Sequence, residues 1–280
     1  TRTRISFGSA FNILGGEVRE TTGIEATSLA KGESLYDTSR VLSGYSDIIV
    51  MRHHEAGSGN EFAEASRVPV INGGDGDNEH PSQALLDLYT IKKELESKNK
   101  SIDGLRIALI GDLKYGRAVH SLCKVLCLYK NVTINLISPK KLKLPSSIKE
   151  TFKDSSVSFF ETDDITKGIS DVDIIYMTRI QEERFSSKSE SGKYKGLMSL
   201  NQEIYTKNCE PNTIIMHPLP RDSRPDANEL DPDLNQNPNL AIYRQTDNGL
   251  LIRMALFSLV LGVQNKIEES TSNVAWFSNK

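Results

Sequence analysis

Four arginines follow apolar runs of the kind that form buried strands. Arg52 follows DIIVM, Arg117 follows RIALI and a short glycine-containing turn, Arg179 follows DIIYM, and Arg221 follows TIIM. Guanidinium groups bind carboxylates and phosphates, and ligands of open parallel sheets bind beyond the carboxyl ends of the strands. One arginine in such a place is ordinary. Four at one face favour a cleft for a ligand with more than one anionic group.

The opening stretch, TRTRISF, is a further candidate anion site. The pattern predicts a helix over residues 3–15 that ends at Gly15 and has three apolar residues near one face: Ile5, Phe11 and Leu14. Thr1, Arg2 and Thr3 would bring backbone N–H groups, hydroxyls and a guanidinium to the positive helix end, which suits a phosphate. A capping threonine beside solvated arginines is the alternative, and spacing alone favours neither.

His80, in NEHPSQ, lies between a glycine-rich turn and a predicted helix start, where it is a candidate for polarising a carbonyl group. The other histidines are expected to be structural or peripheral: His53, His54, His120 and His217. The sequence has no HExxH, GxSxG or GxxxxGK[ST] motif and no cluster of Cys and His ligands, so it indicates no metal, serine nucleophile or nucleotide P-loop. Cys123 and Cys127 lie one helical turn apart among apolar residues, which favours a buried helix face over a redox pair.

The elements that must position these residues alternate along the chain. Strands are predicted at the apolar runs 46–52, 68–71, 105–111, 132–138, 157–160, 172–179 and 213–221. Helices are predicted at 82–97, with Ser82 as the N-cap, at 118–129 and at 249–263. Two polar stretches are predicted to be surface loops, 186–196 and 222–239. Strands that alternate with helices indicate an α/β fold of mainly parallel sheets flanked by helices.

Bulk properties exclude several classes of protein. The 280 residues are 38% hydrophobic and 25% charged with a net charge of −3, as in a soluble globular protein of one large or two modest domains. No basic excess points to nucleic acid, and the longest nearly apolar run, 254–263, is too short to span a bilayer. No signal peptide is visible. We therefore expect neither nucleic acid nor a membrane as a partner.

Six stretches together resemble the catalytic chains of the aspartate carbamoyltransferase family. They are TRTRISF, MRHH, NGGDGDNEHPSQALLDLYTI, GDLKYGRAVHSL, MTRIQEER and MHPLPR, and their order and spacing match from residue 1 to about residue 263. The resemblance implies two α/β domains. Residues 1–82 plus 249–280 would bind carbamoyl phosphate, with the N-terminal part of this domain missing, and residues 83–248 would bind aspartate.

The resemblance also implies an activity and an assembly. The chain would transfer the carbamoyl group of carbamoyl phosphate to the amine of L-aspartate, an early step of de novo pyrimidine biosynthesis, without a metal or cofactor. It would form a cytoplasmic homotrimer with shared active sites. The sequence leaves open whether a regulatory subunit or fused domains accompany it. Residues 264–280 lie past the match and have no assigned role.

The resemblance assigns one end of the site to carbamoyl phosphate. Four residues would hold the phosphate: Thr1, Arg2, Thr3 and Arg52. The serine that leads this motif in the family is absent here. Thr3, Arg52 and His80 would face the carbonyl oxygen, and Gln83 would contact the carbamoyl nitrogen. Catalysis would accordingly depend on Arg2, Thr3, Arg52 and His80.

The resemblance assigns the other end of the site to aspartate. Three side chains would hold its carboxylates: Arg117, Arg179 and Gln181. Leu219 and Pro220 would line the site through backbone carbonyls, Leu219 beside both substrates, with a cis peptide bond between the two. Ser28 and Lys31, in TSLAKGES, would reach into the site of a neighbouring subunit.

Two alternatives remain at this point. Ornithine carbamoyltransferase shares the fold and the carbamoyl-phosphate motif, but it binds a cationic amino acid and typically carries a His-Cys-Leu-Pro string. Here the string is HPLPR, and MTRIQEER supplies an arginine where a carboxylate would be expected, which favours aspartate. A non-catalytic family member is the second alternative, because the chain starts inside the phosphate motif.

Overall fold

The computed structural model describes residues 2–21, 31–76 and 78–267. The α-helices of these ranges are α1 (Arg2–Ile13), α2 (Leu35–Leu42), α3 (Ser58–Ala65), α4 (Pro81–Glu96), α5 (Arg117–Leu126), α6 (Ser146–Glu150), α7 (Ile165–Ile169), α8 (Lys188–Gly192), α9 (Gln202–Asn208), α10 (Ile242–Val260) and α11 (Gln264–Ile267). The strands are β1 (Ile49–His53), β2 (Val70–Asp75), β3 (Arg106–Ile110), β4 (Thr133–Ile137), β5 (Ser158–Thr162), β6 (Ile174–Met177) and β7 (Ile214–Met216). Three short 3-10 helices span Lys140–Leu142, Glu182–Arg184 and Pro232–Gln236.

Two parallel sheets form the framework of the molecule. Strands β1 and β2 pair in a small sheet, with Ile49 opposite Val70. The larger sheet has the order β5-β4-β3-β6-β7, and all of its pairings are parallel. Strands β6 and β7 are buried along their whole length, as is typical of parallel strands covered on both faces. The predicted α/β fold of mainly parallel sheets flanked by helices is confirmed.

The larger sheet reverses its strand order between β3 and β6. The chain runs outward from β3 to β4 and β5 and then returns to the other side of β3 to form β6. At this switch point the two strand ends are very close, since a Cβ on Gly111 would lie 2.1 Å from the backbone oxygen of Thr178. Gly111 also has a φ of +116°, which an L side chain rarely adopts. The loops after β3 and β6 therefore emerge side by side, where open α/β sheets bind ligands.

Helix α10 returns the C-terminal part of the chain to α1 and the small sheet. Phe257 is 2% exposed, and its ring centroid lies 5.7 Å from that of Phe7 and 4.8 Å from that of Phe11. Ile71 of β2 belongs to the same cluster. The Arg253 guanidinium lies over the Phe7 ring at 5.0 Å. This cluster fixes α1, and with it the opening motif, against α10 and the small sheet.

The structure corrects two details of the predicted helices. Helix α4 begins at Pro81 with His80 at the N-cap position, not Ser82, because proline is favoured at the first helical position. In α1 the fully buried residues are Phe7 and Ala10, whereas Ile5 is 55% exposed. The predicted apolar face of that helix was therefore wrong at Ile5.

Other boundaries differ where polar residues hide the pattern. Helix α10 begins at Ile242 rather than 249, since its first two turns carry Gln245, Thr246, Asp247 and Asn248. The predicted loop 186–196 contains α8, and the predicted loop 222–239 contains a 3-10 helix. Helices α2 and α3 were not predicted. Within the described ranges, no helix is long and apolar enough to cross a bilayer.

Candidate active site

Arg52 and Thr3 join the end of β1 to the start of α1. Arg52 Nη1 donates a hydrogen bond of 2.7 Å to Thr3 Oγ1, and no acidic residue lies in the first turn of α1. Burial lowers the pKa of Arg52, and in the part of the chain that the structure describes no carboxylate forms an ion pair with it. As a residue Arg52 is exposed, so an anion can reach its guanidinium at the positive end of a helix that also carries the exposed Arg2.

His80 is buried between β2 and α4 among cationic side chains. Its backbone N–H donates to Ser121 Oγ at 3.0 Å, and its Nδ1 atom is buried with no hydrogen-bond partner among the described residues. Burial lowers the pKa of His80 to about 3, and the charges of Arg117, Arg52 and Arg253 act in the same direction. The imidazole is therefore neutral at physiological pH and can form a hydrogen bond to a ligand without carrying a charge.

Arg117 joins the carboxyl ends of the two sheets, and Gln181 joins the loops after β3 and β6 of the larger sheet. Arg117, the first residue of α5, donates through Nη1 to the backbone oxygen of Gly76, just past β2. Gln181 follows β6, and its Nε2 donates to the backbone oxygen of Tyr115 at 2.9 Å. The Gln181 backbone N–H donates to Asp112 Oδ2 at 3.1 Å. The switch point of the larger sheet thus faces the end of the small sheet, with Arg117 between them.

Arg179 lies half-buried after β6 and is held by the carboxylate of Glu183. Its Nη1 donates to Glu183 Oε2 at 3.0 Å, Nη2 donates to Oε1, and Glu183 raises the pKa of Arg179. Burial lowers the pKa of His217 against the raising effect of its hydrogen bond to Glu229, and the charges of Arg221 and Arg179 contribute smaller lowering effects.

The loop after β7 has an unusual backbone. The Leu219–Pro220 peptide bond is cis, as predicted, and Leu219 has a φ of +54°. The Leu219 N–H donates to Nδ1 of the buried His217 at 2.8 Å, and Glu229 accepts from Nε2 at 2.8 Å. The neutral His217 imidazole thus makes two hydrogen bonds, one at each ring nitrogen. Through the bond from the Leu219 N–H it fixes the backbone of the loop at the edge of the proposed site.

Gln83 lies in the first turn of α4 and is fixed by a carboxylate that sequence reasoning missed. Its Nε2 donates to Oδ1 of Asp87 at 2.9 Å, and Asp87 is completely buried. Within a helical pattern Asp87 resembles an ordinary solvated charge. The available signal was its spacing of four residues from Gln83, which places both on one helix face.

The remaining predicted residues lie as follows. Lys31 is exposed ahead of α2, and Thr1 and Ser28 lie outside the described residues. Arg221 donates to Asn235 Oδ1 at 2.9 Å. His120 is buried with Nε2 at 2.9 Å from the backbone oxygen of Leu113, and Cys123 is fully buried in α5, so both are structural, as predicted.

Two protein-family models match this chain. Residues 1–93 match the carbamoyl-P binding domain of aspartate/ornithine carbamoyltransferase, and residues 103–260 match the Asp/Orn binding domain. The chain belongs to the aspartate/ornithine carbamoyltransferase family. Both parts of the site described above thus fall within matched segments of a carbamoyltransferase.

Curated carbamoyltransferases are similar over the whole chain. The aspartate carbamoyltransferase catalytic subunit of Cellvibrio japonicus is 66% identical over 279 residues, which cover 100% of this chain and 82% of that protein. The corresponding subunit of Saccharophagus degradans is 63% identical over 280 residues and is covered to 83%.

Solved carbamoyltransferase structures share the fold. The catalytic subunit of M. jannaschii aspartate transcarbamoylase superposes with a TM-score of 0.83 at 44% identity, covering 95% of this chain and 83% of that one. Aspartate transcarbamoylase from Trypanosoma cruzi in complex with carbamoyl phosphate and aspartate gives a TM-score of 0.82 at 36% identity, covering 92% and 80%.

Proposed function

We infer that this chain is an aspartate carbamoyltransferase. It transfers the carbamoyl group of carbamoyl phosphate to the amine of L-aspartate and yields N-carbamoyl-L-aspartate and phosphate, in de novo pyrimidine biosynthesis. Curated relatives with this name match the full chain at up to 66% identity. The structural observation that carries the inference is Arg52, which is hydrogen-bonded to Thr3 at a helix start and has no acidic ion-pair partner in the described ranges.

Carbamoyl phosphate binds at the junction of α1, β1 and α4 in this proposal. The phosphate contacts Thr1, Arg2, Thr3 and Arg52 at the positive end of α1. The carbonyl oxygen faces Thr3, Arg52 and the neutral His80, whose low pKa lets it act as an uncharged hydrogen-bond partner. Gln83 contacts the carbamoyl nitrogen, and the backbone of Leu219 lines the far side.

Aspartate binds where the loops after β3, β6 and β7 meet. Arg117, Arg179 and Gln181 hold its two carboxylates, and the backbone carbonyls of Leu219 and Pro220 line the pocket. Support comes from the hydrogen bond between Gln181 and the Tyr115 backbone, because Tyr115 is two residues before Arg117. A ligand carboxylate at Arg179 must share or replace the contact with Glu183.

The reaction follows from this arrangement. The unprotonated aspartate amine attacks the carbamoyl carbon, a C–N bond forms, and negative charge develops on the carbonyl oxygen beside Thr3, Arg52 and His80. The C–O bond to phosphate then breaks, phosphate leaves with the bonding electrons, and the amine loses a proton to it. Both substrates are anionic, so the arginines offset their repulsion, and positioning with electrostatic stabilisation carries the rate. No covalent enzyme intermediate is required.

The domain division and assembly are proposed on the family resemblance. Residues 1–82 plus 249–280 bind carbamoyl phosphate and residues 83–248 bind aspartate, and the packing of α10 on α1 supports the first grouping. The chain forms a cytoplasmic homotrimer in which Ser28 and Lys31 complete a neighbour's site, with or without a regulatory subunit. Light scattering of the purified protein tests the trimer, which a monomer mass would contradict.

Replacement of Arg52 tests the site assignment. We expect Arg52→Ala to lower kcat for N-carbamoyl-L-aspartate formation about 10²- to 10³-fold, because it removes a donor to the developing oxyanion. Arg106→Ala is the matched control. Arg106 is the first residue of β3, at the end of the strand away from the proposed site, and it forms an ion pair with Asp171. Equal rates for wild type and Arg52→Ala would overturn the assignment.

A further inference from the structure

Asp87 lies at the centre of a buried polar network beside the proposed site. The residue is 0% exposed in α4, and both carboxylate oxygens accept hydrogen bonds. Oδ1 accepts from Gln83 Nε2 at 2.9 Å and from Gln245 Nε2 at 2.6 Å, and Oδ2 accepts from Tyr176 OH at 2.6 Å. Burial raises the pKa of Asp87 to about 6, against the lowering effect of these three donors. At neutral pH the carboxylate is therefore an acceptor only.

This acceptor determines how the Gln83 amide is oriented. A primary amide presents donors at one atom and an acceptor at the other, and rotation by 180° exchanges them. Because the Gln83 NH2 group is bonded to an acceptor-only carboxylate, its Oε1 must point away from Asp87. A carbamoyl NH2 group can donate to that oxygen, whereas the methyl group of an acetyl ligand cannot.

The same carboxylate also reaches the loop after β7. Gln245, 1% exposed in α10, donates to Asp87 and uses its Oε1 to accept from the backbone N–H of His217 at 3.0 Å. His217 in turn accepts from the Leu219 N–H. Asp87 thus links Gln83 on α4 to the loop that carries Leu219 and Pro220.

We propose that Asp87 is a positioning residue that fixes the Gln83 amide with its oxygen toward the carbamoyl nitrogen, so that the site distinguishes a carbamoyl phosphate from an acyl phosphate. The proposal rests on the proposed function, in which Gln83 contacts that nitrogen. Asp87 itself touches no substrate. The effect that it exerts through Gln83 is confined to ligands that carry the NH2 group.

The test compares two ligands that differ only in that group. Carbamoyl phosphate is measured by its KM in the aspartate reaction, and acetyl phosphate by its inhibition constant against carbamoyl phosphate. The variant Asp87→Leu is similar in size to the wild type and removes the acceptor. We expect its KM for carbamoyl phosphate to rise about tenfold, because one hydrogen bond to the ligand is lost. Its inhibition constant for acetyl phosphate should change less than about twofold. Tyr176→Phe is the control, since it removes a donor to Oδ2 and leaves Gln83 bonded; its ratio of the two constants should equal that of wild type.

Asp87→Leu leaves the donors of Gln245 and Tyr176 without an acceptor. If it does not fold, the double variant Asp87→Leu/Tyr176→Phe is used, because it replaces both members of one buried pair by apolar groups. The KM for carbamoyl phosphate and the inhibition constant of acetyl phosphate are then compared in that variant. In a Gln83→Met background, Asp87→Leu should no longer change the ratio. Equal weakening of both ligands, or an unchanged ratio in Asp87→Leu, would overturn the positioning role. A wild-type protein without carbamoyl-aspartate activity would instead refute the proposed function.

Discussion

At the residue scale, the site depends on charges that are kept partly out of water. Arg52 is partly desolvated, His80 is held neutral among arginines, and Arg179 is paired with Glu183. In the proposed reaction, a neutral imidazole in this position would stabilise the developing oxyanion by hydrogen bonding and would not need to exchange a proton in the working pH range. The depressed pKa of His80 also makes the free energy of unfolding depend on pH, which can be measured apart from activity.

The low pKa of His80 makes stability depend on pH with a defined sign. The folded protein binds a proton at His80 near pH 3, whereas the unfolded chain binds one near 6.5, so the unfolded state takes up the proton first as pH falls. The stabilisation is complete above pH 6.5 and is lost progressively toward pH 3. We expect the unfolding free energy of wild type, measured with urea, to fall more steeply between pH 6.5 and 4 than that of His80→Gln. Parallel slopes would contradict a depressed pKa.

At the element scale, the C-terminal helix holds the opening motif in place. The Phe257 ring of α10 contacts the rings of Phe7 and Phe11 of α1. Thr3 lies one turn before Phe7 and bonds to Arg52, so packing at the aromatic cluster determines where the helix start meets β1. Packing between distant segments of the chain thereby holds Thr3 beside Arg52.

Truncation of Phe257 tests this packing. We expect Phe257→Ala to lower the unfolding free energy by about 3–5 kcal/mol, the usual cost of a large cavity in a core. Leu259→Ala, on the same helix but 64% exposed, should change it by less than about 0.5 kcal/mol. A denaturant titration that finds the two variants equally stable would show that α10 does not hold α1.

The sequence predicted each of the seven strands that the structure describes, and it failed for helices whose pattern was short or polar. The parallel sheets followed from alternating apolar runs, whereas the order of the strands was not predicted. Helices α2 and α3 are eight residues each, too short to show a clear periodicity, and α3 opens with Ser58-Gly59, which favours a turn. Asp87 and Gln245 were missed because each, within its own helix, looks like a polar residue exposed to solvent. That they are buried and hydrogen-bonded to each other is visible only in the structure.

At the scale of the whole molecule, two parallel sheets bring different side chains to their neighbouring carboxyl ends. The small sheet and α1 supply Arg52 and the neutral His80, and the switch point of the larger sheet supplies Arg117, Arg179 and Gln181. Hydrogen bonds from Arg117 to Gly76 and from Gln83 through Asp87 and Gln245 to His217 connect the two. In the proposed site, the acceptor amino acid would meet the guanidinium groups of Arg117 and Arg179, which favour carboxylates and oppose a cationic side chain.

The choice between aspartate and ornithine tests the account most directly. The purified chain is incubated with carbamoyl phosphate and either L-aspartate or L-ornithine, and the carbamoylated product is quantified. We predict N-carbamoyl-L-aspartate from the first mixture and no product above the enzyme-free rate from the second, because the arginines after β3 and β6 bind the side-chain carboxylate of aspartate. Carbamoylation of ornithine without carbamoylation of aspartate would contradict the assignment of those arginines and of the activity.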